Sequence, residues 1–241
     1  MRKKSRWTFP ASLVAAALLS AACGGGGGAM TLKPNYPDEP AQRHHKIGKT
    51  VFVKVTDARE FSAQPGPISV PTYAGQKPPD GELARTIGAR SGEGGKNFST
   101  ITLADPETVK SIVKQLAEIS FEFAGFKVVG TAEETEGGPD YVAEVSVPGF
   151  WVWMTPGGLT IAVNSNVEAE VSLQPKDGAP VTLSARGYHE DVDVGNSIDS
   201  YDLALNEALN NFLVDLEKGC LEVADSISPD EDEDEGEGGG T

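Results

Sequence analysis

The clearest pattern in the chain is the alternation from Leu159 to Leu173. Leu159, Ile161, Val163, Ser165, Val167, Ala169, Val171 and Leu173 form one series, and Thr160, Ala162, Asn164, Asn166, Glu168, Glu170 and Ser172 form the other. Successive side chains of an extended strand point to opposite faces, so a strand here has one oily and one wet side. A parallel sheet buried under helices on both faces has no place for such a strand. The pattern therefore predicts a sheet with one solvated face and an antiparallel neighbour. Pro175-Lys176-Asp177-Gly178 supplies turn residues, and Val181, Leu183 and Ala185 return at period two, which makes a long hairpin.

The other elements must cover the oily face. Tyr201, Leu205, Ala208, Leu209, Phe212, Leu213 and Leu216 recur at helical spacing and form a stripe suited to that purpose. Asp105-Pro106-Glu107 reads as a helix start with Asp105 as N-cap. Val109, Ile112, Val113, Leu116 and Ile119 or Ser120 continue at helical period until Gly125. Val51, Val53 and Val55 predict a first strand, with further strands at residues 126–131 and 141–147, and residues 60–97, rich in Pro and Gly, read as one long loop. The order strand, helix, strand, strand, hairpin, helix predicts an α+β fold: a two-layer sandwich of one mixed, mostly antiparallel sheet with two helices on one face.

The ends differ from this body. Arg2, Lys3, Lys4 and Arg6 precede an apolar run at residues 11–19, followed by Ser20-Ala21-Ala22-Cys23, so residues 1–22 read as an export signal. The apolar run is too short to span a bilayer, which takes about 20 residues. Five glycines follow, and residues 23–48 are expected to be a flexible Gly- and Pro-rich tether before a body at residues 49–224. Residues 225–241, with consecutive acids from Asp230 to Glu235, read as a disordered, solvating tail.

Charge narrows the function. The chain carries 20 Lys and Arg against 36 Asp and Glu, a formal charge of -16. Nucleic acid is excluded as a partner, because its recognition requires a basic face. Removing the leader takes away four basic residues and makes the balance more acidic still, so attachment to a membrane has to come from acyl chains. Cys23 directly after two alanines resembles the lipobox of bacterial lipoproteins, in which the thiol is acylated with diacylglycerol and becomes the new N-terminus. Ser20 stands where that motif usually has Leu. By the same resemblance, Gly24, not an Asp, after the Cys implies the outer membrane. Cys220 is the only other thiol, so a disulfide framework is excluded; a bridge to Cys23 is open only where Cys23 carries no lipid.

No catalytic set stands out, and the chain is expected to be non-catalytic, with no cofactor and no metal. It contains three histidines: His44 and His45 in the expected tether, and His189 beside Glu190, Asp191 and Asp193. G-x-S-x-G and P-loop patterns are absent. Two places are candidates for partner contact. Phe150-Trp151-Val152-Trp153-Met154 holds two of the three tryptophans; alternation sends one set into the core and the other outward, so Trp151 and Trp153 are either core or a partner-facing patch. Asp57 and Arg59 at the mouth of the first strand make either a local ion pair holding the long loop or a recognition site. The alternative function is that of a soluble periplasmic small-ligand or cation binder that uses loop 60–97 and the acids near Asp191.

These residues carry a family resemblance over about residues 49–217. A lipobox-like Cys23, the Val51-Phe52-Val53-Lys54-Val55 strand running into Asp57-x-Arg59, Ile87-Gly88 after a variable loop, Gly125-Phe126, the Asn166–Gly178 hairpin and a closing helix at 204–216 together resemble the YajG family of bacterial envelope lipoproteins. The long loop and the acidic tail depart from a minimal member. The resemblance implies a lipid-anchored, periplasm-facing, non-catalytic domain at the outer membrane whose partner is an unidentified envelope protein.

Overall fold

The long alternation becomes the middle of a five-stranded sheet. In the computed structural model, which describes residues 30–37, 47–61, 80–91, 98–156, 160–193 and 197–227, strand β7 (Ile161–Pro175) lies antiparallel between β6 (Tyr141–Pro156) and β8 (Val181–Asp193). On the other side of β6, β2 (Thr50–Asp57) runs parallel to it and to β5 (Lys127–Val129), so the order is β5-β2-β6-β7-β8. Val163, Ser165, Val167, Ala169, Val171 and Leu173 are all buried, whereas Glu170 on the other face is exposed. The hairpin turn passes through Gly178 at φ 122°, a left-handed value that favours glycine.

Two helices cover the oily face. Helix α2 (Val109–Phe123) buries Val109, Ile112, Val113, Leu116, Ile119 and Ser120. Its N-cap is Thr108, not Asp105: Thr108 accepts from the Ser111 N–H at 3.0 Å while Ser111 Oγ accepts from the Thr108 N–H at 2.8 Å. This reciprocal pair satisfies two of the N–H groups that a helix start leaves open, and Asp105-Pro106-Glu107 belongs to the approach. Helix α3 (Ile198–Ile227) buries Tyr201, Leu205, Ala208, Leu209, Phe212 and Leu216 in one stripe and runs three residues past the expected boundary at Ala224. Cys220 lies in this stripe, fully buried and free. Burial pushes its thiol far above the ordinary range, which keeps it in the unreactive protonated form.

The architecture is α+β, but with two sheets where one was expected. The second has three strands in the order β1-β4-β3: β1 (Met30–Leu32), β3 (Thr86–Ser91) and β4 (Phe98–Leu103). Part of the segment read as a tether is therefore folded, because Leu32 is fully buried and β1 pairs in parallel with β4 from Met30↔Ile101 to Leu32↔Leu103. Part of the segment read as a loop folds as well: α1 (Asp80–Leu83) leads into β3, and Ile87 is fully buried. Residues 62–79 and 92–97 of that loop, the leader and residues 228–241 lie outside the described residues. Among the described residues no helix is long and apolar enough to cross a membrane.

One ion-dipole cluster ties β2 to the start of β6. Asp140 Oδ2 accepts from both the Thr50 N–H and Thr50 Oγ1, each at 2.7 Å, and the Asp140 N–H returns a bond to Thr50 Oγ1 at 2.9 Å. These donors, with Lys49 and Lys176 nearby, hold the carboxyl below its usual value. A lowered folded value means that the contribution is present above the unfolded value and is lost as pH falls through the folded one. Thermal melts of Asp140→Asn are expected to show a small loss of stability at neutral pH that shrinks as the wild type is acidified below the usual carboxylate range. A loss of the same size at every pH would contradict this role.

Candidate functional site

Among the described residues no helix lies on the outer face of the five-stranded sheet, and the register sorts its side chains into rows. Lys54, Glu144, Ser172 and Thr182 form one row, and Thr56, Ser146, Glu170 and Ser184 the next. Together they line a concave trough of about 830 Å³. Lys54 and Glu144 are paired across it at 3.3 Å, both well exposed, so the pair adds little stability. Further along, Glu168 faces Arg186 at 3.2 Å. Beyond that come Trp151, Asn166 and Tyr188, and then Trp153, Asn164 and Glu190. The face thus grades from hydroxyls and carboxylates at one end to aromatic rings and amides at the other.

The placing of the tryptophans follows from a bulge. The register of β6 against β7 shifts between Ser146 and Gly149, at Val147-Pro148. Proline has no N–H to give a ladder, and a bulge is one of the places where a strand tolerates it. The extra residue reverses the alternation: Ala143, Val145 and Val147 enter the core before it, and Phe150 and Val152 after it. Trp151 and Trp153 consequently point outward. The strand expected to end at Val147 continues to Pro156 through this bulge.

Outward does not mean free in the case of Trp151. Arg59 lies over its ring at 4.8 Å, and Phe61 meets it edge-on at 5.3 Å, leaving it 8% exposed. Burial therefore removes Trp151 from a partner-facing surface. Trp153 remains half-buried, with Tyr188 beside it at 6.5 Å between ring centres. The Tyr188 hydroxyl donates to Asn164 Oδ1 at 2.6 Å, and burial together with Glu190 pushes the phenol above its ordinary value, so it stays a donor.

Arg59 resolves the second ambiguity. Its side chain is fully buried and every N–H is used: Nε and Nη2 bind the two Asp57 oxygens at 2.7 Å each, Nη2 also meets the Leu83 carbonyl at 3.1 Å, and Nη1 meets the carbonyls of Thr86 at 2.7 Å and Phe150 at 3.4 Å. Guanidinium geometry makes this possible, since five donors radiate from one plane. Arg59 pins α1 and β3 against the end of β2 and the interior of β6, which is a structural clip, and its occupied donors leave none for a partner. Asp57 is consumed in the same pair.

A close backbone approach completes the junction. A Cβ on Gly88 of β3 would stand 2.0 Å from the Val152 carbonyl oxygen, so only glycine fits where β3 crosses β6. At the far edge, side chains of α3 occupy the free side of β8: Asp215 accepts from the Arg186 N–H at 2.9 Å, and Asn211 donates to the Tyr188 carbonyl at 3.0 Å. Both groups block strand addition there. These contacts could not be read from periodicity, because Asn211 and Asp215 fall on the polar side of the α3 stripe.

The remaining candidates separate. Cys23 lies outside the described residues. Alternation along β8 puts His189 and Asp191 on one face and Glu190 on the other. Among the described residues no group of three or more His, Cys, Asp or Glu side chains is placed to hold a metal ion.

No family model matches the chain. No curated protein matches its sequence. Several solved structures share part of its shape. A Xanthomonas campestris protein described by the family model DUF330 has 13% identity and a TM-score of 0.41, over 81% of this chain and 93% of that one. The PelC dodecamer of Paraburkholderia phytofirmans has 12% identity and a TM-score of 0.32, over 76% and 93%. A lipoprotein of Neisseria meningitidis has 14% identity and a TM-score of 0.27, over 67% and 96%.

Proposed function

We propose that the chain is a lipid-anchored, non-catalytic binding or assembly lipoprotein of the bacterial cell envelope, held at the outer membrane by acyl chains on Cys23 and facing the periplasm. The observation that carries this reading is the order basic residues, short apolar run, Ser20-Ala21-Ala22-Cys23, which is what export followed by acylation requires. The resemblance to YajG-type lipoproteins agrees with it. The folded body suits such a role: its outer sheet face is hydrophilic, concave and open at the trough, where a protein partner in the envelope would meet hydroxyls and carboxylates. The acidic chain has no means of holding an anionic bilayer by charge, so the anchor is needed.

Fractionation of cells expressing Cys23→Ala tests the anchor. The wild type is expected in the membrane fraction and the variant in the soluble or unprocessed fraction. Unchanged membrane association of a processed variant would contradict it.

A further inference from the structure

Resting on the lipid-anchor reading, we infer that the pole of the body formed by the end of β8 and the start of α3 lies against the lipid surface, and that the trough is held at the far end of the sheet from it. Chain length limits how the body can sit. Because β1 begins at Met30, its first residue stands seven positions after Cys23, and even a fully extended chain of that length spans only about 25 Å. A tether reaching to residue 48 would have let the body turn freely; this short one restricts which side approaches the bilayer.

The exit point of that leash is set by α3. The Lys33 backbone hydrogen-bonds to Asp202, and the Asn35 N–H donates to Asn206 Oδ1 at 2.8 Å, so the chain after β1 runs in the same direction as the first turns of α3. Met30, three extended residues before Lys33, is therefore displaced toward the helix start by about 10 Å. At that pole Val192 is 59% exposed, Ile198 46% and Leu203 46%, half of the large hydrophobic side chains that are exposed among the described residues. Trp153, with an amphipathic ring of the kind favoured at a lipid–water boundary, lies one row inward. Thr182 and the trough lie ten residues away along β8, about 33 Å from Val192.

The lipid is specified by charge. Glu190, Asp191 and Asp199 flank the exposed side chains, so this pole suits zwitterionic headgroups and resists anionic ones. Apolar groups here reach only the headgroup and upper acyl region, about 5–10 Å deep.

The test uses the full lipidated chain in phosphatidylcholine vesicles that carry a nitroxide near the headgroup. An environment-sensitive fluorophore is placed at Val192→Cys and, separately, at Thr182→Cys; buried Cys220 does not compete for the label. Flotation with the vesicles and several-fold stronger quenching at position 192 than at 182 are expected. Flotation with equal quenching, or stronger quenching at 182, overturns the orientation and leaves the anchor standing. Failure to float overturns both.

Discussion

Arg59→Met is expected to unfold at a distinctly lower urea concentration than the wild type. Breaking a buried, hydrogen-bonded ion pair costs about 3–5 kcal/mol. In Arg59→Met the carboxylate of Asp57 and the carbonyls of Leu83, Thr86 and Phe150 all lose the guanidinium at once, and Asp57 keeps only the backbone N–H of residue 59. For a body of this size such a loss lowers the melting temperature by roughly 10 °C. Arg59→Lys is expected to rescue little, since one ammonium on a flexible stem cannot reach four acceptors around a plane. A second readout separates this from general weakening: with the guanidinium gone from the face of Trp151, tryptophan emission is expected to change in the still-folded protein. A variant that melts with the wild type and keeps its emission would remove Arg59 from its place as the clip between the two sheets.

Gly187→Val is the second large effect. Even its first added atom, the Cβ, would stand 1.9 Å from the Ala208 carbonyl oxygen and 2.5 Å from the Phe212 nitrogen, both backbone atoms of α3 that no rotamer change can move. The helix must lift from β8, which costs more than the 1–3 kcal/mol or so of ordinary overpacking. Lifting also pulls Asn211 and Asp215 away from the β8 edge, so the variant is expected to aggregate on heating as well as to melt early. Gly219→Ala provides the contrast. Its Cβ would meet Leu183 at 3.4 Å, an ordinary contact, and alanine in a helix interior is favoured over glycine by about 0.5–1 kcal/mol. Melts of both variants decide the matter: equal destabilisation would show that the helix–strand approach at Gly187 is not what excludes a side chain.

These two glycines in one region also mark how far the sequence could be read. The strand from 161 to 173 and the stripes of α2 and α3 were legible because each repeats a period many times, and burial follows those periods except at places such as Asn164, a polar-face residue that is buried and accepts from the Tyr188 hydroxyl. The three-stranded sheet was not legible. Met30–Leu32 is too short to show a period and sits close after a glycine run, and β3 offers one fully buried anchor, Ile87, amid Gly and Arg. Such strands are made by their neighbours. The N-cap of α2 went to Thr108 because Ser111 could answer it three residues later, a pairing that outweighed the Asp-Pro signal at 105. At the site, the pairing of Asp57 with Arg59 was one of two readings of the same three residues; which one holds depended on Leu83, Thr86 and Phe150, distant in sequence. The bulge at Val147-Pro148 had a visible proline, yet its consequence, that both tryptophans turn outward and Trp151 is covered again by Arg59, needed the fold.

The proposed anchor, location and orientation all depend on where the chain begins once it is exported. Intact-mass and peptide mass spectrometry of protein purified from native membranes measures this directly. A mature N-terminus at Cys23 bearing a diacylglyceryl thioether and its fatty acyl chains is the predicted result. A mature chain starting at an unmodified Cys23, or one that retains residues 1–22, would contradict the anchor, and with it the proposed location and orientation at the membrane.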